Sequence, residues 1–458
     1  MDRSISSTKG EMVHVEVVNT DDWISKISND LLLEILSKLS TKEAIRTSVL
    51  SKRWVNVWKK TSQLCLDMRT IANTTTLLPD VSHQAAKSVT NVIKDHCGRL
   101  EKCSIYHDSD QCVNGMLKFW VQLLVIVKHT KDLTLENFSL NRKRNVTLDL
   151  PPRSFSHPSL TSLSLGRYKL EAPHAFSDGR NLKNLKLIGI SAEIEVFNAV
   201  LASCTSLEVL ALKTSCISKG GSLKIENHNL KFLYLSCSRI KCIEVFSPSL
   251  DILSIGSLSC EIENVVIASP RLHFNRNYWA TGKIFPHTSY YISCPQQGEK
   301  SIGNEIMMNG SNVCMKMFAS MSVSVDLTNA KEVEMLKQVL AAWPGDMYEV
   351  EILFKGNNAA RNESESSSVG YTQNTFWEDT KPFPSAKFRA YTVWLSNFSG
   401  SYEEFALASR MITQGTVVRC MMIRPSSVSP AKKLEIEAAI ARLKELPKGD
   451  EDLAIVKF

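Results

Sequence analysis

The sequence contains no apolar run of the ~18–20 residues that a membrane-spanning helix needs. The best candidate, Phe119 to Val127, is too short and includes Gln122. The first 20 residues lack a basic stretch followed by an apolar one, so no secretory signal is visible. We therefore expect residues 1–20 to be a disordered leader and the protein to be intracellular, in the nucleus, the cytoplasm or both, with no membrane partner.

Cysteine is also sparse, with 12 residues among 458. A chain without a visible secretory signal is not delivered to an oxidising compartment, which argues against a disulfide framework. The cysteines do not fall at C-x-x-C spacing, and although His96 and Cys97 are adjacent, no further ligand pair follows at metal spacing. The sequence predicts reduced, mostly buried thiols and no metal site.

The motifs of common catalytic and nucleotide-binding sites are missing. There is no G-x-x-x-x-G-K-[ST] loop, G-x-G-x-x-G turn, G-x-S-x-G elbow or H-E-x-x-H helix. The net charge of +7 is a mild excess that permits an acidic partner without indicating nucleic acid. An enzyme is therefore unsupported, no cofactor is expected, and a binding protein is favoured.

The first recognisable structure is a group of compact helices over residues 21–68. Ser28 can cap one helix, and Ser40 with Glu43 is spaced as a capping box for the next. Fewer than ~50 residues so rich in leucine and tryptophan cannot readily bury every apolar face, so part of this surface is expected to dock elsewhere. The alternative is that these residues form a small core of their own.

These helices carry a family resemblance. Residues 23–25 (WIS), 30–37 (DLLLEILS) and 46–54 (RTSVLSKRW) resemble the F-box of plant F-box proteins, apart from Ser28 and Ser40, where that family usually or often has proline. The resemblance implies docking to a Skp-type adaptor, and through it to the cullin of an SCF ubiquitin ligase. The residues implied in adaptor binding are Leu31, Leu32, Ile35, Leu36, Val49, Leu50, Ser51, Arg53, Trp54 and Trp58.

Repeats of the form L-x-x-L-x-L dominate the middle of the chain, within residues 95–290. Clear copies begin at Leu160, Leu182, Leu207, Leu230 and Leu250, at steps of 20 to 25 residues. This interval is typical of leucine-rich repeats. Each copy predicts a short strand whose leucines face a shared core, and stacked parallel strands would form an irregular solenoid without the usual asparagine corner.

Alternate strand residues are predicted to line the concave face of this solenoid. Exposed aromatic side chains with cations are common protein-binding anchors, so we predict a substrate-binding patch there. The alternative is that these side chains merely coat a strand face. The predicted patch consists of Lys186, Lys213, Phe232 and Tyr234.

The remaining chain, residues 315–458, predicts an α+β region. Helices are expected over 331–343 and 431–446 and strands over 387–395 and 416–423, with a capping box at Ser401 and Glu404. Residues 361–370 (RNESESSSVG) are expected to be a disordered insert. Residues 395–401 (LSNFSGS), within about 375–458, resemble the FBD domain of plant F-box/leucine-rich-repeat proteins. Such a unit would cap the open end of the solenoid.

The sequence thus predicts a multidomain α+β protein: a helical F-box, an irregular solenoid of parallel strands and an FBD-like domain. The function that the resemblance implies is recognition of an unknown protein substrate for an SCF-type ligase, without a catalytic site and without nucleic acid. The first alternative is a leucine-rich-repeat scaffold that is not coupled to ubiquitination. The second is a small-molecule receptor of the F-box type.

Overall fold

The fold is described from a computed structural model. It describes residues 26–69, 79–107, 115–138, 146–272, 289–293, 320–341, 346–355, 388–427 and 430–458. The leader, the 361–370 insert and the start of the FBD-like stretch lie outside these residues. No helix in the described part is long and apolar enough to span a bilayer.

The N-terminal module consists of short helices. They are α1 (Asn29–Ser37), α2 (Thr41–Arg46), a 3₁₀ turn (Thr47–Val49), α3 (Trp54–Val57) and a second 3₁₀ turn (Trp58–Lys60). Both predicted caps are confirmed. The Leu31 backbone N–H donates to Ser28 Oγ at 3.3 Å, and Ser40 and Glu43 form the reciprocal capping box. These caps satisfy backbone N–H groups that short helices would otherwise leave unpaired.

One long sheet runs through the rest of the described chain. Every neighbouring pair described is parallel apart from β12 and β14. In spatial order its strands are β1 (Gln63–Asp67), β2 (Lys102–His107), β3 (Asp132–Asn137), β5 (Ser162–Gly166), β7 (Asn184–Ala192), β8 (Val209–Cys216), β10 (Phe232–Ser238), β12 (Ile252–Ile255), β14 (Ser289–Ser293), β15 (Ser320–Val325), β16 (Met347–Phe354), β17 (Ala390–Phe398), β18 (Val417–Pro425) and β19 (Ala454–Lys457), with β4 (Val146–Thr147) and β6 (Tyr168–Leu170) beside β7.

The first face of the sheet carries the repeat leucines. One row in strand register joins Leu163, Leu185, Leu210, Leu233 and Leu253, and all of them are buried in one core. The elements that cover this face are α4 (Pro79–Asp95), α5 (Met116–Gln122) with a π turn (Leu123–Val127), a 3₁₀ turn (His174–Phe176), α6 (Ile194–Ser203) and a small sheet of β9 (Ser222–Glu226), β11 (Cys242–Phe246) and β13 (Val265–Ala268). A further 3₁₀ turn (Ile262–Asn264) precedes β13. The predicted leucine-rich repeats are confirmed.

Polar side chains tie successive turns of the solenoid together. Asn227 Nδ2 donates to the Cys204 carbonyl at 3.1 Å, and the next two turns use serine in the same way. Ser247 Oγ donates to the Leu230 carbonyl at 3.1 Å and Ser269 Oγ to that of Leu250 at 3.3 Å. The corner role therefore persists with mixed residues, which is why no asparagine repeat is visible in the sequence.

The C-terminal region extends the sheet and packs on its second face. The antiparallel strand β14 links β12 to β15, after which the helices are α7 (Ala330–Ala341), α8 (Tyr402–Thr413) and α9 (Pro430–Glu445). One register row runs from Ile252 through Ile292, Val323 and Ile352 to Leu395, all in a second core. The class is the predicted multidomain α+β, but its last two parts share one sheet.

The helical module is joined closely to the start of that sheet. Strand β1 lies inside the stretch predicted as F-box and pairs with β2. The Cys97 backbone N–H donates to the Lys59 carbonyl at 2.8 Å, and a Cβ at Gly98 would lie 2.9 Å from Lys60 Cα. This close backbone approach fixes the module against the end of α4.

Candidate functional site

The helical module exposes several apolar side chains outside its own core. Leu31 and Ile35 lie one turn apart on α1 with exposures of 53% and 46%, and Val49 and Leu50 are exposed by 88% and 61%. Arg53 connects the two groups, since its Nε donates to Asn29 Oδ1 at 2.9 Å near the start of α1 and its Nη2 donates to the Ile27 carbonyl. We call Leu31, Ile35, Val49 and Leu50 the apolar patch.

Four other residues predicted to contact the adaptor are instead buried. They fill a small core with Ala44 and Val57, because the two leucines lie at helical spacing on α1 and pack against the two tryptophans of α3 and the turn that follows. The structure therefore places these four in the core of the module, as in the alternative interpretation, and a direct role in adaptor binding stays a prediction. They are Leu32, Leu36, Trp54 and Trp58. Ser51 is exposed, and Arg53 acts as an internal bridge.

The predicted concave patch is divided by the C-terminal region. Phe232 and Tyr234 are only 2% and 3% exposed and belong to the second core, so the expectation that they are exposed on the concave face is wrong. They are buried because the second core, formed mainly by the C-terminal region, also includes the second-face residues of β8, β10 and β12. Lys186 is half-buried and Lys213 is exposed, so both remain accessible.

The open part of the concave face, on β1 to β7, carries a stack that the sequence did not reveal. Arg69 Cζ lies 4.4 Å from the centre of the Tyr106 ring and 4.9 Å from that of Phe138, and Arg167 Cζ lies 4.5 Å from the Phe138 ring. The Arg69 Nε donates to Asp67 Oδ1 at 2.8 Å, and this bond lowers the pKa of Asp67. Alternating cations and rings of this kind suit protein recognition.

The residues of this stack can be related to one another in the sequence only once the cross-strand register of β1, β2, β3 and β5 is known. Asp67 is in register with Tyr106, and Tyr106 with Glu136. Gly166 continues the row, and a Cβ there would lie 2.7 Å from Glu136 Cγ. The first repeats are too degenerate to align from their leucines, so the row cannot be read from spacing alone.

The described cysteines are all free thiols. Cys103, Cys204, Cys216 and Cys237 are buried. Burial raises the pKa of Cys204 and of Cys237 to about 12, which keeps both protonated and unreactive near neutral pH. Within the described residues no cluster of three or more His, Cys, Asp or Glu side chains could hold a metal ion.

Comparison with known proteins assigns the two regions. An F-box domain model matches residues 24–65, and a model of the leucine-rich repeats of the FBD-associated F-box protein At5g56370 matches residues 117–275. The F-box protein At1g80960 of Arabidopsis thaliana is 48% identical over 446 residues, covering 94% of this chain and 90% of the relative. The chain belongs to the plant F-box protein family.

Other relatives extend the assignment of this F-box protein. The F-box protein At3g60790 of Arabidopsis thaliana is 44% identical over 445 residues, covering 95% of this chain and 90% of that relative. The F-box/FBD/LRR-repeat protein At1g80470 of the same plant is 26% identical over 259 residues, or 52% of each chain. The F-box, repeat and FBD resemblances are thereby confirmed at the level of the family.

Proposed function

We propose that this F-box protein is a substrate-recognition subunit of an SCF-type cullin–RING ubiquitin ligase and that its F-box docks a Skp-type adaptor. The observation that carries the proposal is the apolar patch. The module has already filled its own core with other leucines and tryptophans, yet it leaves the four side chains of the patch exposed, as well as Leu39 and Val55. Clustered exposed apolar surface of this kind is typical of a protein interface.

The remaining exposed features of the module fit the rim of such an interface. Ser51 and Lys52 are exposed directly beside Leu50, and Lys59 is half-buried in the following turn. Basic residues at the rim would accelerate association with an acidic partner more than they would tighten it. The adaptor residues of the proposal are therefore the apolar patch together with Ser51.

The solenoid supplies the substrate half of the proposal. Its open concave face presents the Arg69, Tyr106, Phe138 and Arg167 stack, and Lys186 lies on the same face. A subunit that holds a substrate next to a ubiquitin-charged enzyme acts by raising its effective concentration. Such a role requires binding surfaces in fixed relation and no nucleophile of its own.

The decisive experiment is a pull-down of purified protein with a Skp-type adaptor. Leu31→Asp combined with Val49→Asp should weaken adaptor binding at least about tenfold, since charges would be buried at the centre of the interface. The matched control is Leu434→Asp combined with Val266→Asp, which places the same charges at exposed apolar sites elsewhere. Thermal melts should be the same for both variants.

Two results would contradict the proposal. One is a folded wild-type protein that does not bind the adaptor, and the other is binding that the patch variant leaves unchanged. Either would favour a repeat scaffold that is not coupled to ubiquitination.

A further inference from the structure

A cavity of about 540 Å³ opens at the carboxyl ends of the solenoid strands β6, β7, β8 and β10. Three cationic side chains line it, from Lys169, Lys213 and Arg239. Six serine and threonine residues contribute the rest of its polar lining, and no carboxylate is among the described lining residues. The cavity therefore offers hydrogen-bond donors and positive charge to whatever enters.

The register of the sheet brings these groups together. Lys169 is in register with Ser191, Ser191 with Ser215, and Ser215 with Ser238, so four neighbouring strands contribute one row. Neighbouring strands lie about 4.8 Å apart, so the row spans roughly 14 Å. Lys213 is two residues before Ser215 on β8 and thus lies on the same face of the sheet.

Two backbone irregularities shape the row. The pairing of β7 with β8 shifts between Ile188 and Ile190, and the intervening Gly189 has a φ of +69°. This bulge changes which β7 residues stand beside Ser215, and it brings Ser191 into the row. Arg239 follows the last residue of the row with a φ of +63°, a left-handed conformation that is uncommon for a residue other than glycine.

The cations of the cavity are largely available. Lys213 and Arg239 are exposed and form no ion pair within the described part of the chain. Lys169 Nζ lies 2.8 Å from Glu171 Oε1, an exposed surface pair. Glu193 lies nearby and accepts a hydrogen bond from the Ser218 N–H at 3.2 Å, but neither carboxylate lines the cavity.

We propose that this cavity binds a phosphoryl group carried by the protein that the solenoid captures. A phosphoryl group concentrates nearly two negative charges and three strong acceptor oxygens in a small volume. Binding such a group requires hydrogen-bond donors and positive charge, and the cavity supplies both as a compact group of hydroxyl donors flanked by Lys213 and Arg239. The inference deepens the proposed function, on which it rests, by naming the chemistry that marks the substrate.

The first test uses the full-length protein and inorganic phosphate as the probe. Phosphate should raise the melting temperature relative to chloride at equal ionic strength, because a ligand that binds only the folded state stabilises it. Lys213→Glu combined with Arg239→Glu, which we call the cavity variant, should weaken phosphate binding at least about tenfold. Lys224→Glu combined with Lys241→Glu changes the net charge equally on exposed residues outside the cavity and should leave the affinity within about twofold.

The second test separates a phosphorylated protein from a free phosphate compound as the source. A peptide library with one phosphoserine should bind at least about tenfold more tightly than the same library with serine, and the cavity variant should lose this difference. Equal binding of the two libraries would overturn the proposal, as would phosphate binding that survives in the cavity variant. The cavity variant and its Lys224→Glu/Lys241→Glu control should both bind the adaptor as the wild type does. A failure to bind phosphate or phosphopeptide is therefore distinct from a failure of the proposed F-box role.

Discussion

At the scale of single residues, His96 shows how the junction between the helical module and the sheet is built. Its ring is buried, and Nε2 lies 2.7 Å from the Thr61 carbonyl, which can only accept, so Nε2 carries the proton. Its Nδ1 is buried without a hydrogen-bond partner in the described structure. Burial lowers the pKa of His96, and the charge of nearby Lys128 lowers it further.

This arrangement predicts an acid-sensitive junction. The unfolded chain binds a proton at His96 near the ordinary pKa of 6.5, whereas the folded chain resists it. Stability should therefore fall as the pH drops below 6.5 toward the lowered folded pKa. In urea unfolding at pH 7.5 and 5.5, wild type should lose more stability on acidification than His96→Gln. An equal loss in both proteins would show that His96 is not the group responsible.

At the scale of elements, the exposure of each side chain on a solenoid strand depends on what covers the face on which it lies. Leu233 lies on the first face of β10 and is fully buried, and Phe232 on the second face is nearly so. In β7 the second-face residue Lys186 is accessible instead. The strands alternate identically, so the burial of a second-face residue depends on which other elements reach it.

A pair of leucine truncations tests the contribution of the repeat core. Leu233→Ala should lower the free energy of unfolding by about 2–5 kcal/mol, since it leaves a cavity in a closely packed core. Leu434→Ala, at an exposed site on α9, should change it by less than about 0.5 kcal/mol. Urea denaturation monitored by circular dichroism measures both. A similar small loss in the two variants would mean that the repeat leucines are not tightly packed.

At the scale of the whole molecule, the F-box, the solenoid and the C-terminal region form a continuous structure. The second core contains solenoid residues such as Val209 and Phe232 together with Leu336 of α7 and Met411 of α8. The C-terminal region thus covers apolar solenoid surface as well as extending the sheet. The strands that adjoin β12, namely β14 and β15, precede the FBD-like stretch of about 375–458, so capping by that stretch itself stays a prediction.

Removing residues 289–458 should therefore produce a solenoid that aggregates. The deletion exposes Phe232 and Tyr234 together with the edge of β12, and an uncovered apolar edge strand promotes association. Adding Phe232→Ser and Tyr234→Ser to the deletion should restore part of the solubility. Sedimentation and size-exclusion chromatography measure the effect. A truncated chain that stays monomeric and unfolds cooperatively would contradict the capping role.

The sequence by itself determined the local features of this protein. Serine caps, capping boxes and the leucine interval are short-range patterns, and the structure reproduces them at Ser28, Ser40, Ser401 and along the repeats. The F-box resemblance likewise rests on contiguous residues. Each of these signals involves residues within one element or one repeat, where spacing alone dictates which backbone groups and side chains meet.

Only the tertiary structure decided which apolar residues are surface and which are core. Leu31 and Leu32 are neighbours of the same type, yet packing against α3 buries Leu32 and leaves Leu31 exposed. Phe232 and Tyr234 have the alternation of a concave surface, but a region that begins more than 50 residues later covers them. Burial depends on contacts between elements that are distant in the chain, and local periodicity carries no information about which of them meet.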